Sequence, residues 1–502
     1  MSMKKKVCQG SRGRIGILLV VALALAVLNG CAHVGPDYKT PEQETPDLWE
    51  QELTRGLAEG EAALQTWWTT FNDPVLNSLI ERAVDGNLDL KEAFARVKEA
   101  RALRGVASGE RYPDLNAGGS AEKIRESEDF DVVTTDSNRT DNFYDVGMDA
   151  TWEIDFWGRI SRSIESADAS LQASVENYRD ALVILYAEIG LNYVEARTLQ
   201  ARIRFAEDSV ETQRGSLSIT KARLRAEISG ELDVRQAELN LANTESIIPQ
   251  LKTRLVQAIN RLGVLLGEFP KALHQELAPP APIPQPPARV TVGVPAELLR
   301  QRPDIRRAER ELAAQTAQIG VVTADLYPRF SLSGAFAYSG TNGTDLFDWG
   351  RRKFFFGPSF RWNIFDGGRV RNRINAEKAQ AEQALVRYQQ TVLKAAEDVE
   401  NSMVSYTQET DRSEILQRAV VAAGKAVELV KALYKAGLTD FQNVFDMERS
   451  HFEQRQAFAA SEGLVTEDLV RLYKALGGGW EPQPEKIEKE VKNQEDRGEP
   501  IF

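Results

Sequence analysis

Cysteine is nearly missing from this chain of 502 residues: Cys8 and Cys31 are the only two, and both lie near the start. A disulfide-stapled scaffold is therefore excluded. Histidine is nearly as scarce, and His33, His274 and His451 are too scattered to form a metal centre. No glycine-rich phosphate loop, nucleophile elbow or zinc-ligand pair occurs, so the chain carries no familiar catalytic motif. Long apolar runs are absent too. The single one, Ile15 to Val27, is too short to span a bilayer comfortably. Positive charge is in deficit: the formal net charge is −12, and no basic patch invites nucleic acid.

What is present begins with a leader. Lys4, Lys5, Lys6, Arg12 and Arg14 precede the apolar run, which ends in Leu28-Asn29-Gly30-Cys31. This is the layout of a secretory signal peptide. Its end resembles the bacterial lipobox, in which the cysteine is diacylated and becomes the first residue. Residues 1–30 then read as a lipoprotein signal, and a covalent lipid is expected on Cys31. Ala32 follows where an Asp would favour inner-membrane retention, so the resemblance implies export to the outer membrane. Loss of residues 1–30 removes five basic and no acidic residues, taking the charge from −12 to −17.

An internal duplication organises the rest. Trp152-Glu-Ile154 followed by Gly158-Arg159 returns 210 residues later as Trp362-Asn-Ile364 followed by Gly368-Arg369. Leu232-Asp233-Val234 with Glu238 returns as Gln442-Asn443-Val444 with Glu448, and Leu266-Gly267 as Leu476-Gly477. Gly105-Val106 and Tyr112-Pro113 return as Gly320-Val321 and Tyr327-Pro328, at an offset of 215. The unit, roughly 200 residues, is far longer than a solenoid repeat. The expected organisation is a lipid-anchored arm at 31–66, a first repeat at 67–278, a Pro-rich connector at 279–295, a second repeat at 296–480 and a disordered tail at 481–502.

Each repeat reads as helix, two strands, then a long helical pair. Asp73-Pro74 is an N-cap with proline at the first helical position, and a helix is expected from there to about Ser108. Tyr144, Val146, Met148, Ala150, Trp152 and Ile154 alternate with polar or small residues. Phe330, Leu332, Phe336 and Tyr338, and then Phe354, Phe356, Phe360, Trp362 and Ile364, do the same in the second copy. Period two with aromatics on one face is what a transmembrane barrel strand requires, although a half-buried soluble sheet shares the pattern. The strand after Tyr112 is Gly-rich and weaker. Steps of four and three then run from Leu171 through Leu185, Ile189, Leu199 and Ile203 to Val210, and from Ala381 through Tyr388, Val392 and Val399 to Tyr406. Each first helix should hold about 68 residues, roughly 100 Å. It should turn near 226–230 or 436–440 and be followed by a shorter returning helix.

Four strands cannot close a barrel, and open edges are not tolerated in lipid. If the strands enter a membrane, several chains must share one barrel, and three copies supply twelve strands. A lipid-anchored structural coiled coil without a pore is the other reading of the helices.

The residues resemble the trimeric outer-membrane factor family, the TolC-like channels, and their lipidated OprM/NodT-like branch. The likeness covers nearly all of Trp67 to Trp480. Its most specific segments are Arg302-Pro-Asp-Ile305 with Ala308-Glu309, Phe365-Asp-Gly-Gly-Arg369, Tyr434-Lys-Ala-Gly437 and Tyr473-Lys-Ala-Leu-Gly-Gly-Gly-Trp480. The resemblance implies an α+β, mainly α fold: a homotrimer with a twelve-strand β-barrel (four strands per chain), a long periplasmic α-barrel and a mixed equatorial domain. It implies a Gram-negative outer-membrane exit duct for small molecules, without catalysis. Its partners would be a periplasmic adaptor and an inner-membrane, proton-driven pump. It further implies a periplasmic aperture at Asp233, Asn443, Asp446 and Tyr434. The arginine that partners this tyrosine in TolC is replaced by Thr439, so a latch of that form is not expected. Adaptor docking falls on Ala226, Ile228 and Ser229 in one turn and Ala436, Gly437, Leu438 and Thr439 in the other. Glu227 stands where the small-Gly-apolar docking pattern has glycine, which sets the first turn apart. No cofactor or metal site is expected.

Overall fold

The computed structural model describes residues 33–42, 48–60, 64–125, 140–293 and 301–480. The leader, Cys31 and the C-terminal tail lie outside the described residues. In chain order the elements are strand β1 (Leu57–Glu59), helices α1 (Pro74–Gly86) and α2 (Leu88–Gly109), strands β2 (Asp114–Arg125) and β3 (Thr140–Ile154), and helices α3 (Arg159–Arg225) and α4 (Glu231–Leu265). Strand β4 (Val290–Val292) and helix α5 (Pro303–Thr323) follow, then strands β5 (Arg329–Gly340) and β6 (Arg352–Arg361), and helices α6 (Arg369–Lys435) and α7 (Phe441–Ala475). The long helices of the two copies have identical lengths, 67 and 35 residues.

The chain divides into two compact units, each drawing on both halves of the sequence. One contains the arm up to Pro41, Glu99–Ala173 and Glu309–Arg387. Its centre is a four-stranded antiparallel sheet of order β2-β3-β5-β6. An aspartate caps the helix that follows each strand pair. Asp155 accepts from the amides of Ile160 (2.9 Å) and Ser161 (2.8 Å), and Asp366 from those of Gly368 and Val370 (both 2.8 Å). That explains why an Asp stands before the Gly-Arg pair in both repeats.

The other unit contains Glu42–Lys98, Ser174–Ala308 and the chain from Tyr388 onward. Its core gathers Trp67, Leu76, Leu79, Ile80, Ile189, Tyr193, Leu262, Leu266, Leu469 and Leu472. Trp67 stacks on Tyr473 at 5.4 Å. Asp73 caps α1 through the amides of Val75 and Leu76, and its other oxygen accepts from the Tyr193 hydroxyl at 2.7 Å. The heptad stripe of α3 is buried at Leu185, Ile189, Ala196, Leu199, Ile203, Ala206 and Val210.

One expectation is corrected. The helix from Pro74 breaks at Asn87. The Asn87 side chain donates to the Leu265 carbonyl (2.8 Å) and accepts from the Leu90 amide (2.8 Å), so it caps α2. Gly86 admits no side chain there, because a Cβ would lie 2.0 Å from the Leu266 carbonyl oxygen. The arm and the connector also contribute a small parallel sheet: β1 pairs with β4, burying Leu57, Val290 and Val292.

Candidate functional site

The four-stranded sheet has two chemically different faces. Met148, Phe336 and Phe354 are in register across β3, β5 and β6, followed by Trp152, Leu332 and Pro358. Phe354, Phe356 and Phe360 are 68–76% exposed, a cost in water that lipid would remove. The opposite face carries Asn116, Asp149, Ala335 and the exposed Phe355, and then Asp145 and Ser339, which are hydrogen-bonded at 2.8 Å with Lys353 paired to Asp145. Aromatic and indole groups gather at the end where the helices join. Trp157 stacks on Tyr327 at 4.5 Å and donates to the Pro328 carbonyl; Trp152 and Trp362 donate to the carbonyls of Arg111 and Leu326. Trp362 and Ile364, expected in the last strand, lie beyond its end at Arg361. Amphipathic aromatics of this kind are enriched at membrane interfaces. Among the described residues, the outer edges of β2 and β6 have no strand partner.

In the other unit the tips of two helical hairpins, α3–α4 and α6–α7, lie together. Tyr434 near the end of α6 donates its hydroxyl to Asp233 in the first turn of α4 at 3.1 Å. Burial, and then the negative charge of Asp233, raise the Tyr434 pKa, so the phenol stays a donor at neutral pH. Its ring meets Phe441 edge-on at 5.5 Å within a cluster of Ala237, Val430, Phe441 and Val444. Gln236 reaches Gln442 at 2.6 Å. Asn443 and Asp446 stay on their own hairpin: Asn443 donates to Thr439 (2.8 Å), and Asp446 accepts from Gln442 (3.0 Å) with Arg449 3.7 Å away. Of the four expected aperture residues, the structure thus joins Asp233 to Tyr434 and leaves the other two on one helix surface.

Sequence reasoning missed Arg223. Its guanidinium lies over the Tyr434 ring, 4.6 Å from the centroid, and donates to the Tyr434 carbonyl at 2.8 Å. The contact holds the end of α6 against α3, a cation at a helix C-terminus. The only trace in the sequence is that Arg223 is one of two basic residues, with Arg225, in the last turn of α3.

The two turns share one backbone form. The amides of Glu227 and Ile228 donate to the carbonyls of Leu224 (2.9 Å) and Arg223 (3.0 Å), and those of Gly437 and Leu438 to Tyr434 (3.0 Å) and Leu433 (2.9 Å). Glu227 has φ 58° and Gly437 φ 76°, so Glu227 adopts the left-handed form that glycine takes freely. Ile228 and Leu438 then project with 64% and 73% exposure. Ala226 and Ala436 are exposed, and Ser229 and Thr439 half-buried. Glu227→Gly should stabilise the first turn by about 1 kcal/mol, by removing the left-handed strain. Slower exchange of the Ile228 amide, which closes the turn on Arg223, would register the gain; faster exchange would contradict it.

The family model described as outer membrane efflux protein matches residues 79–268 and 294–478. The chain is 31% identical to Nodulation protein T of Rhizobium leguminosarum bv. trifolii over 460 residues, 91% of this chain and 96% of that protein. It is 29% identical to Outer membrane protein OprJ of Pseudomonas aeruginosa over 473 residues, 92% and 96% of the two chains. Among solved structures it is similar to the outer-membrane channel OprN, with a TM-score of 0.83 and 36% identity over 90% of this chain and 100% of that one. For CusC the TM-score is 0.79 at 27% identity, over 89% and 100%.

Proposed function

The chain belongs to the outer membrane efflux protein family, and from that premise we propose that three copies form the exit duct of a tripartite efflux system. Its fold is TolC-like, α+β and mainly α. It is a channel component of the outer membrane and not an enzyme.

One observation carries the trimer: a four-stranded sheet with one apolar face and, among the described residues, no partner on either edge. Backbone groups on an open edge cannot be satisfied in lipid, and transmembrane barrels begin at about eight strands. Pairing β6 of one protomer with β2 of the next closes twelve strands over three copies. The polar face with Asp145, Asp149 and Lys353 then turns inward and lines a water-filled passage.

The hairpin tips form the periplasmic end. Asp233, Asp446, Asn443 and Tyr434 surround the aperture, with the Tyr434–Asp233 bond holding the hairpins together. The exposed turns at Ala226, Ile228 and Ser229 and at Ala436 to Thr439 receive the periplasmic adaptor, which joins the duct to a proton-driven inner-membrane pump. The shared turn geometry supports equivalent docking at both. Cys31 carries the lipid. Support comes from the arm two residues later: His33 packs against Gly158, and the Val34 amide donates to the Trp157 carbonyl (3.2 Å), next to the aromatic end of the sheet. An acyl chain on Cys31 would start at the membrane surface.

Planar-bilayer recording of the purified protein tests this reading. A cation-preferring conductance that rises when Tyr434→Phe and Asp233→Ala are combined is expected. A protein that inserts but does not conduct even with both substitutions would be a structural coiled coil.

A further inference from the structure

Above the tips, one buried charge joins all four helices of the two hairpins. Glu448 on α7 is 5% exposed. Its carboxylate accepts from Ser216 on α3 (2.5 Å) and Asn240 on α4 (3.2 Å), and pairs with Lys431 on α6 (2.7 Å). Ser216 and Asn240 are themselves buried, within a polar seam that includes Gln213, Thr220 and Thr244.

The duplication sharpens the point. Glu238 is the counterpart of Glu448, 210 residues earlier, but its side chain is 37% exposed and pairs only within its own hairpin, with Lys221 (3.2 Å) and Arg235 (3.0 Å). A glutamate stands at the matching position of both copies, and Glu448 is the one that lies in the seam. Burying an ion pair is a weak route to stability, and apolar side chains of similar volume often do as well. A single polar position in a helix seam is instead an effective way to fix register.

The bonds also divide by charge. The partner of full charge, Lys431, belongs to the same hairpin as Glu448. The links across hairpins come from neutral Ser216 and Asn240, which water can replace. The hairpins can therefore part without leaving an ion unpaired.

We propose that Glu448 is a positioning residue for the aperture. It fixes the register of the α6–α7 hairpin against α3–α4 and so keeps Tyr434, three residues beyond Lys431, in reach of Asp233. The inference rests on the reading of the tips as an aperture, and two readouts separate them. The first is intrachain cross-linking of a Gln236→Cys/Gln442→Cys pair with a short bismaleimide, clean because the described residues hold no cysteine. The second is bilayer conductance.

Glu448→Gln leaves Lys431 without its acid, and cross-linking should fall severalfold while conductance rises severalfold. Adding Lys431→Met should restore cross-linking towards wild type, because the glutamine oxygen still accepts from Ser216 or Asn240 and no ion is stranded. Lower cross-linking with unchanged conductance would support the positioning role and count against the aperture reading. Should Glu448→Gln fail to assemble, Ser216→Ala and Asn240→Ala take its place, each expected to lower cross-linking with the ion pair intact. Unchanged cross-linking in every variant that assembles would overturn the inference.

Discussion

Phe336→Lys should prevent stable insertion of the sheet into a membrane. Phe336 sits mid-strand on β5, in register with Met148 and Phe354, and is 43% exposed on the face that lipid would cover. A lysine at the midplane of a barrel costs about 2–4 kcal/mol. In a trimer the substitution occurs three times, so roughly 6–12 kcal/mol would oppose insertion, comparable to the whole stability of an ordinary domain. Ser333→Lys is the control: it pairs with Thr151 and Gly357 on the opposite, polar face and should insert. Membrane fractionation with heat-modifiability on gels would separate the two. Equal insertion would mean that the apolar face does not meet lipid.

The second large effect is expected at Arg302. Its side chain is 11% exposed and makes a paired contact with Asp304 (3.0 and 2.7 Å). It also donates to the Ala475 carbonyl at the end of α7 (2.7 Å) and reaches the Ala395 carbonyl and Asp398, both at 3.4 Å. One guanidinium thus ties the start of α5 to α6 and to the end of α7. Gly477, φ 76°, follows the last of these helices, and a Cβ on it would lie 3.0 Å from Arg302. Arg302→Ala would leave the Ala475 carbonyl without its donor and Asp304 with only the Ile305 amide, and losing charge-assisted hydrogen bonds at such a half-buried pair costs about 1.5–3 kcal/mol. Arg302→Lys should recover only part, since an ammonium cannot make the forked contact. Denaturant midpoints in detergent measure the loss; a shift below about 1 kcal/mol would show that Arg302 behaves as a surface charge.

These two residues show which parts of the fold were legible in the sequence. The apolar face was readable because strand periodicity is local: Tyr144 to Ile154 states its own two faces. The Asp73 cap was readable for the same reason. Arg302 stood out as part of a motif, but its partners at Ala395 and Ala475 are some 90 and 170 residues away, and no local pattern names a carbonyl. The break at Asn87 was hidden likewise, since it answers to Leu265 and Leu266 on another helix. Strands β1 and β4, three residues each, are too short for any period to appear.

At the tips, the duplication was a sound guide to backbone and a poor one to side chains. It matched the two turns, and both take the same form even with Glu227 opposite Gly437. The likeness at Glu238 and Glu448 concealed opposite environments. The bond between Asp233 and Tyr434 joins two residues singled out separately, whereas Arg223, which holds the same tyrosine, carried no motif.

The central claim is that one chain supplies a third of a closed barrel. Native mass spectrometry of the purified protein in detergent tests it most directly. The account predicts a single assembly of three chains, each with a diacylated or triacylated N-terminal cysteine. A stable monomer that spans bilayers on its own would contradict it, because four strands with two open edges would then have proved sufficient.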